Sequence, residues 1–220
     1  DDGEGGAEHL TSSYDIALMS RELLKHPEIR DYTTIWMDTV RDGRFGLANT
    51  NKLVRFYEGT TGLKTGFTAE AGYCLSASAM RDGMELIAVV LDCESSTDRF
   101  QSAKSLLDYG FANYALVQPE PEQAITAVPI VLGEKTEITP VLDNQDPILI
   151  DKAMEGQVST PVELAESVQA PVEKGQRLGT LKVEAEGKSL ANIAIVSPER
   201  VEKLTFFQVT GASLKALGMG

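Results

Sequence analysis

The sequence predicts an α+β protein: an antiparallel sheet with helices packed against it, followed by a small all-β domain. Apolar residues recur at helical spacing near both ends of the first 118 residues, and strand-like runs separated by Arg-Asp-Gly turns lie between them. Beyond residue 118 the composition changes. Twelve of the fourteen aromatics lie before that point and eight of the nine prolines after it. Gln118-Pro119-Glu120-Pro121-Glu122 reads as a semi-rigid spacer. The expected division is therefore a first domain over 1–118, a linker over 119–121, a β-rich domain over 122–198, and a terminal segment over 199–220.

The chain in order supports each element. Asp1 to Glu8 is acidic, glycine-rich and without apolar periodicity, so it reads as a loop. A helix follows, with Thr11, Ser12 or Ser13 as N-cap and Ile16, Ala17, Met19, Leu23 and Leu24 at helical spacing, ending before Pro27. Around Thr33–Val40 the pattern turns strand-like, Arg41-Asp42-Gly43-Arg44 marks a tight turn, and Phe45–Ala48 returns as the partner strand. Asn49-Thr50-Asn51 reads as an ordinary loop. Three strands are expected next, over Gly62–Thr68, Tyr73–Met80 and Met84–Leu91, the last two joined by Arg81-Asp82-Gly83. Ser96 or Thr97 then caps a helix whose buried stripe is Phe100, Ala103, Leu106, Leu107, Phe111 and Tyr114. In 122–198, short apolar runs broken by Gly, Pro and charged residues predict a small all-β module. That module has no Trp, Tyr, His or Cys, hence no obvious nucleophile, general base or soft metal ligand. The terminal segment reads either as an amphipathic membrane anchor or as a closing helix interrupted by Gly211.

Composition narrows the function. With 42% apolar and 24% charged residues in 220, the chain is that of a folded protein. A net charge of −13 leaves no basic surface to neutralise phosphates, which argues against nucleic-acid binding. Cys74 and Cys93 are the only cysteines; their spacing fits no metal site, and they read best as buried free thiols, a disulfide remaining open. No apolar run reaches the length of a membrane-spanning helix, and no leader-like segment opens the sequence. His26, before Pro27, reads as structural and His9 as solvated.

The chemistry-bearing stretch is Gly62-Leu63-Lys64-Thr65-Gly66-Phe67-Thr68. A lysine and a hydroxyl beside a glycine on a strand can grip a carboxylate while the bare backbone admits a substrate chain. The tripeptide alone is equally a lysine beside a turn glycine. With Thr61, Ala71-Gly72-Tyr73-Cys74-Leu75, the strand ending at Leu91, the helix after Arg99 and the β-rich segment in that order, residues 11 to about 117 resemble the C-terminal half of the catalytic domain of the low-molecular-mass penicillin-binding proteins, the serine-type D-alanyl-D-alanine carboxypeptidases. The resemblance implies part of a β-lactamase/transpeptidase-like domain, with the β-rich segment as its appended domain.

It also implies roles. Lys64 would be catalytic, raising the local potential for a serine alkoxide and an anionic substrate. Thr65 and Gly66 would bind the peptide's terminal carboxylate and backbone, the Phe67 N–H would be one of two oxyanion donors, and Arg99 would assist carboxylate recognition. No metal or organic cofactor is implied. The partners implied are a peptidoglycan stem peptide or a β-lactam, the rest of the same enzyme, and possible peripheral contact with the outer face of the cytoplasmic membrane, where an extracytoplasmic or secreted enzyme would act.

The sequence departs from the family in one respect. No serine is followed three residues later by lysine, and none two residues later by asparagine. The Ser-x-x-Lys and Ser-x-Asn elements are therefore expected upstream of Asp1, and this chain alone is expected to be inactive. The other readings are a class A-like β-lactamase, a non-catalytic peptidoglycan-binding relative, and a lipoyl-type carrier around Ile150-Asp151-Lys152-Ala153, for which an ordinary turn lysine is the simpler account.

Overall fold

The computed structural model describes residues 10–205, and the chain divides into two compact units at Tyr114–Ala115. The acidic opening with His9, and the terminal residues 206–220, lie outside the described residues.

The first unit opens with α1 (Ser13–Leu24), whose N-cap Ser12 accepts from the Asp15 N–H. Its covered side is only partly the one expected: Ile16 and Ala17 are half-buried and Leu24 buried. Ser20 and Leu24 are buried, whereas Met19 and Leu23 stand open. A short α2 (Ile29–Thr33), not expected from the sequence, ends on the first residue of the stretch expected to be strand, with Thr34 donating back to the Arg30 carbonyl. The hairpin follows as expected, β1 (Met37–Val40) with β2 (Phe45–Ala48), and Arg41, Asp42 and Gly43 turn through positive φ.

After α3 (Leu53–Phe56) come the three long strands: β3 (Thr60–Thr68), β4 (Gly72–Arg81) and β5 (Met84–Cys93). They form an antiparallel sheet in the order β3-β4-β5, each extending beyond the span expected. β4 shows why this sequence makes a two-faced strand. Leu75, Ala77 and Ala79 are almost wholly buried and face α4 (Ser96–Asn113) through its Ala103 and Leu107. The alternate residues are small hydroxyls, and Ser76 meets Ser20 of α1 at 2.7 Å on the other face. α4 is capped by Ser95, one residue before the expected position, and its buried stripe is Arg99, Ala103, Leu107, Gly110 and Phe111. Leu106 is exposed, and Tyr114 has left the helix for a strand.

The second unit is all-β, as expected. Its strands are β6 (Tyr114–Val117), β7 (Val128–Val131), β8 (Glu137–Ile138), β9 (Val141–Leu142), β10 (Ile148–Asp151), β11 (Val158–Ser159), β12 (Val162–Leu164), β13 (Val168–Gln169), β14 (Arg177–Ala185) and β15 (Lys188–Val196). The long β14–β15 hairpin carries β9 on one side and β11 and β12 on the other, and β13-β7-β8 and β10-β6 form smaller sheets. Glu120 and Glu122 of the Pro/Glu run are tied to Thr160, and Pro119 is fully buried. No helix starts at Pro198. Val201 exchanges backbone bonds with Val172 and fills the cluster of Ile130, Ile138, Ala170, Val172 and Leu178, and the Leu204 N–H donates to Leu132. The strand bonds hold the chain in this module, because a helix there would pull Val201 out of the core.

Candidate active site

Lys64, Thr65 and Gly66 sit on β3, which among the described residues has no strand on its outer edge. The backbone of that edge is therefore available to a ligand that adds as a further strand. Pleating places neighbouring side chains on opposite faces. Lys64 is level with Ser76 on the α1 side, and Thr65 with Leu75 on the α4 side.

Thr65 is buried and its Oγ1 lies 2.7 Å from that of Thr50. This gives the loop 49–51, expected to be unremarkable, a direct part in the site. Asn51 is 1% exposed; its amide donates to the Gly62 carbonyl at 3.0 Å and its Oδ1 accepts from Leu53 N. Asn49 accepts from Asn51 N and donates to Thr33 and Ile35 carbonyls. Asn at two alternate positions before a helix is the signal for such Asx turns, and it was present in the sequence.

Arg99, in the first turn of α4, is buried at 8% exposure. Its Nη1 donates to the Gly66 carbonyl at 3.0 Å and reaches the Cys74 carbonyl at 3.4 Å, and Nη2 reaches Ser96 Oγ. The guanidinium also lies over the rings of Tyr73 and Phe100. Phe67 is exposed and its ring packs on Tyr73, with centroids 4.3 Å apart. Arg99, Tyr73 and Phe67 thus back the Gly66 end of the strand as one stack. Lys64 is exposed, and its Nζ turns onto the carbonyl of Thr65.

Before the motif the strand is fixed by a polar network. Thr33 donates to the Thr61 carbonyl at 2.6 Å. Thr61 Oγ1 lies 2.7 Å from both Ser78 Oγ and Glu85 Oε1, and Arg30 donates to the other oxygen of Glu85 at 2.5 Å. Ser78 is fully buried. A carboxylate only accepts, so Thr61 gives its one proton to Glu85 and takes one from Ser78. Sequence reasoning gave none of these five residues a part in such a network, because they come from four separate elements.

The remaining residues singled out by sequence lie elsewhere. Cys74 and Cys93 are free thiols, half-buried rather than buried. His26 is exposed in the turn after α1. Lys152 opens a 3-10 turn between β10 and β11, which pair with different strands, so it does not occupy the hairpin tip that a carrier lysine would need. Among the described residues no three His, Cys, Asp or Glu side chains converge as a metal site, and no helix is long and apolar enough to cross a membrane.

Two family models and several known proteins match the chain. Residues 3–95 match the family model described as D-alanyl-D-alanine carboxypeptidase, and residues 120–203 match that of the penicillin-binding protein 5 C-terminal domain. The D-alanyl-D-alanine carboxypeptidase DacF of Bacillus subtilis is 35% identical over 204 residues, covering 90% of this chain and 52% of the relative. DacC of Escherichia coli is 29% identical over 201 residues, covering 90% and 50%. Penicillin-binding protein 5 of Haemophilus influenzae superposes with a TM-score of 0.70 at 28% identity, over 88% of this chain and 57% of that one. The chain thus spans about half the length of the curated relatives it matches. The Lys-Thr-Gly strand lies in the segment matched by the first model and the β module in that matched by the second, and in this order they show that the chain belongs to the D-alanyl-D-alanine carboxypeptidase family of low-molecular-mass penicillin-binding proteins.

Proposed function

We propose that this chain supplies the substrate-binding wall of a serine D-Ala-D-Ala carboxypeptidase that trims the terminal D-Ala from peptidoglycan stem peptides outside the cytoplasmic membrane. The observation that carries the reading is the bare edge of β3, with Thr65 buried against Thr50 and Gly66 held from behind by Arg99. A stem peptide adds along that edge. Its terminal carboxylate meets Thr65, with Lys64 raising the local potential, and the Phe67 N–H donates to the developing oxyanion. A serine on the Ser-x-x-Lys element, supplied by the rest of the enzyme, attacks the penultimate D-Ala carbonyl. The terminal D-Ala leaves as the amine, and water then cleaves the acyl-enzyme.

The need for that other portion is supported by the opposite side of the sheet. β5, a ten-residue and mostly apolar strand, has no pairing strand on its outer edge among the described residues, a state that folded proteins cover. The β module, matched by the penicillin-binding protein 5 C-terminal domain model, favours this reading over a class A-like β-lactamase. The test is labelled penicillin. The 220-residue chain takes up no covalent label, whereas a chain extended to the relatives' full length is labelled on an upstream serine and releases D-Ala. Labelling of the 220-residue chain itself overturns the reading, as does an extended chain without the serine.

A further inference from the structure

Outside the strand edge, one concavity brings charge and aromatic surface together. A groove of about 320 Å³ between α3 and α4 is lined by Lys52, Leu53, Phe56, Thr97, Phe100 and Lys104. Residues 97, 100 and 104 share one side of α4, turned from the side that buries Arg99, Ala103 and Leu107. Leu53 forms a buried floor, while Phe56 presents an aromatic ring that is 69% exposed. Two lysines flank one concavity in a chain of net charge −13, and among the described residues neither has an ion-pair partner.

We propose that this groove binds an anionic N-acetylamino sugar, with the lysine ammoniums taking a carboxylate or phosphate and the phenylalanine rings taking the sugar's apolar face and acetyl methyl. The volume suits one ring and its substituents, and a polar rim over an apolar floor is the usual composition of a small-ligand site. Two flanking cations select for charge, and Thr97 contributes a hydroxyl that can donate or accept. A carboxylate and a phosphate are equivalent to Lys52 and Lys104, since an ammonium reads them as point charges. The choice of an amino sugar rests on the peptidoglycan reading above; the demand for an anion does not.

The test is a titration of the whole 220-residue chain followed by backbone amide shifts, with N-acetylmuramic acid, N-acetylglucosamine 1-phosphate, neutral N-acetylglucosamine and inorganic phosphate as separate probes. The expected result is saturable shifts confined to residues 52–56 and 97–104 with one or both anionic sugars, which also tells the carboxylate from the phosphate source. Neutral sugar and bare phosphate should each bind more weakly by about fivefold or more, the loss of one weak pairing. Lys52→Gln with Lys104→Gln should abolish the preference for charge, and Phe56→Ala, at an exposed position, should weaken sugar binding while leaving phosphate unchanged. Absence of saturable shifts overturns the proposal. So do equal responses to phosphate and sugar, an unchanged response in the lysine double variant, or loss of the shifts in a chain extended to full length, which would mark the groove as a packing surface. None of these readouts uses the serine, so failure of penicillin labelling and failure of this site are separable.

Discussion

Thr50 and Thr65 share a 2.7 Å hydroxyl contact that ties the Asn-rich loop to the middle residue of the Lys-Thr-Gly strand. The pairing decides what Thr65 can offer a ligand. If Thr50 donates, the Thr65 proton is free for a substrate carboxylate, and both hydroxyls are satisfied once substrate binds. Thr50→Val removes that donor and leaves Thr65 to satisfy itself elsewhere. In the full-length enzyme this should lower kcat/KM by roughly two- to tenfold, the equivalent of about 0.5–1.5 kcal/mol for one neutral hydrogen bond. Thr50→Ser should restore it. Steady-state D-Ala release checks this, and an unchanged rate in Thr50→Val would show that the contact is packing alone.

The sequence shows why the strand was legible and the loop behind it was not. β4 alternates openly, with Leu75, Ala77 and Ala79 between Ser76 and Ser78, so the strand itself was legible. In α1 the apolar residues cover too wide an arc for periodicity to choose a side, and Ser20, a polar residue, is the one buried with Leu24. At α4 three consecutive hydroxyl residues could cap, and only geometry selects Ser95. Asn51 is polar and buried because it replaces backbone partners for Gly62 and Leu53, a role that depends on two elements meeting in space. Arg99 is similar: its burial depends on the strand carbonyls that receive it, which helical periodicity does not place.

Glu85 joins α2, β3 and β5 through Arg30 and Thr61, and removing it strands a partly buried guanidinium. Glu85→Ala should destabilise the first unit by about 2–3 kcal/mol, below the full cost of breaking a buried pair because both partners keep some solvent contact. Glu85→Gln keeps the Thr61 bond and should cost less. Trp36, the only tryptophan, lies in this unit, so urea unfolding followed by its fluorescence isolates the effect from the β module. Equal midpoints for Glu85→Ala and the parent would refute the role.

The two free thiols should react at different rates. Burial, and to a lesser degree the neighbouring Cys74, pushes the Cys93 thiol up from its ordinary value. A raised thiol pKa means less thiolate at a given pH, and thiolate is the reacting form. Alkylation near pH 8 should therefore modify Cys74 ahead of Cys93, with Cys93 catching up as the pH rises. Peptide mapping of partially alkylated protein reads the order directly, and faster modification of Cys93 would contradict it.

Tyr57 makes the same kind of statement about stability. Its phenol is buried and donates to Asp108 Oδ1 at 2.7 Å. Burial first, and then this hydrogen bond, push its pKa up to about 12, against the opposing pull of the Arg81 guanidinium that lies over the ring. The folded state holds this proton more tightly than the unfolded chain. The resulting stability is thus fully present below about pH 10, the ordinary tyrosine value, and is lost as pH rises through about 12. Tyrosine ionisation followed by ultraviolet absorbance should show one phenol titrating after the others, and Tyr57→Phe should remove that late component. The same substitution leaves Asp108 without its donor but exposed to water, so it should also flatten the alkaline decline in the Trp36-reported unfolding midpoint. Retention of the late-titrating phenol in Tyr57→Phe would assign it to another tyrosine and remove the basis for the alkaline decline.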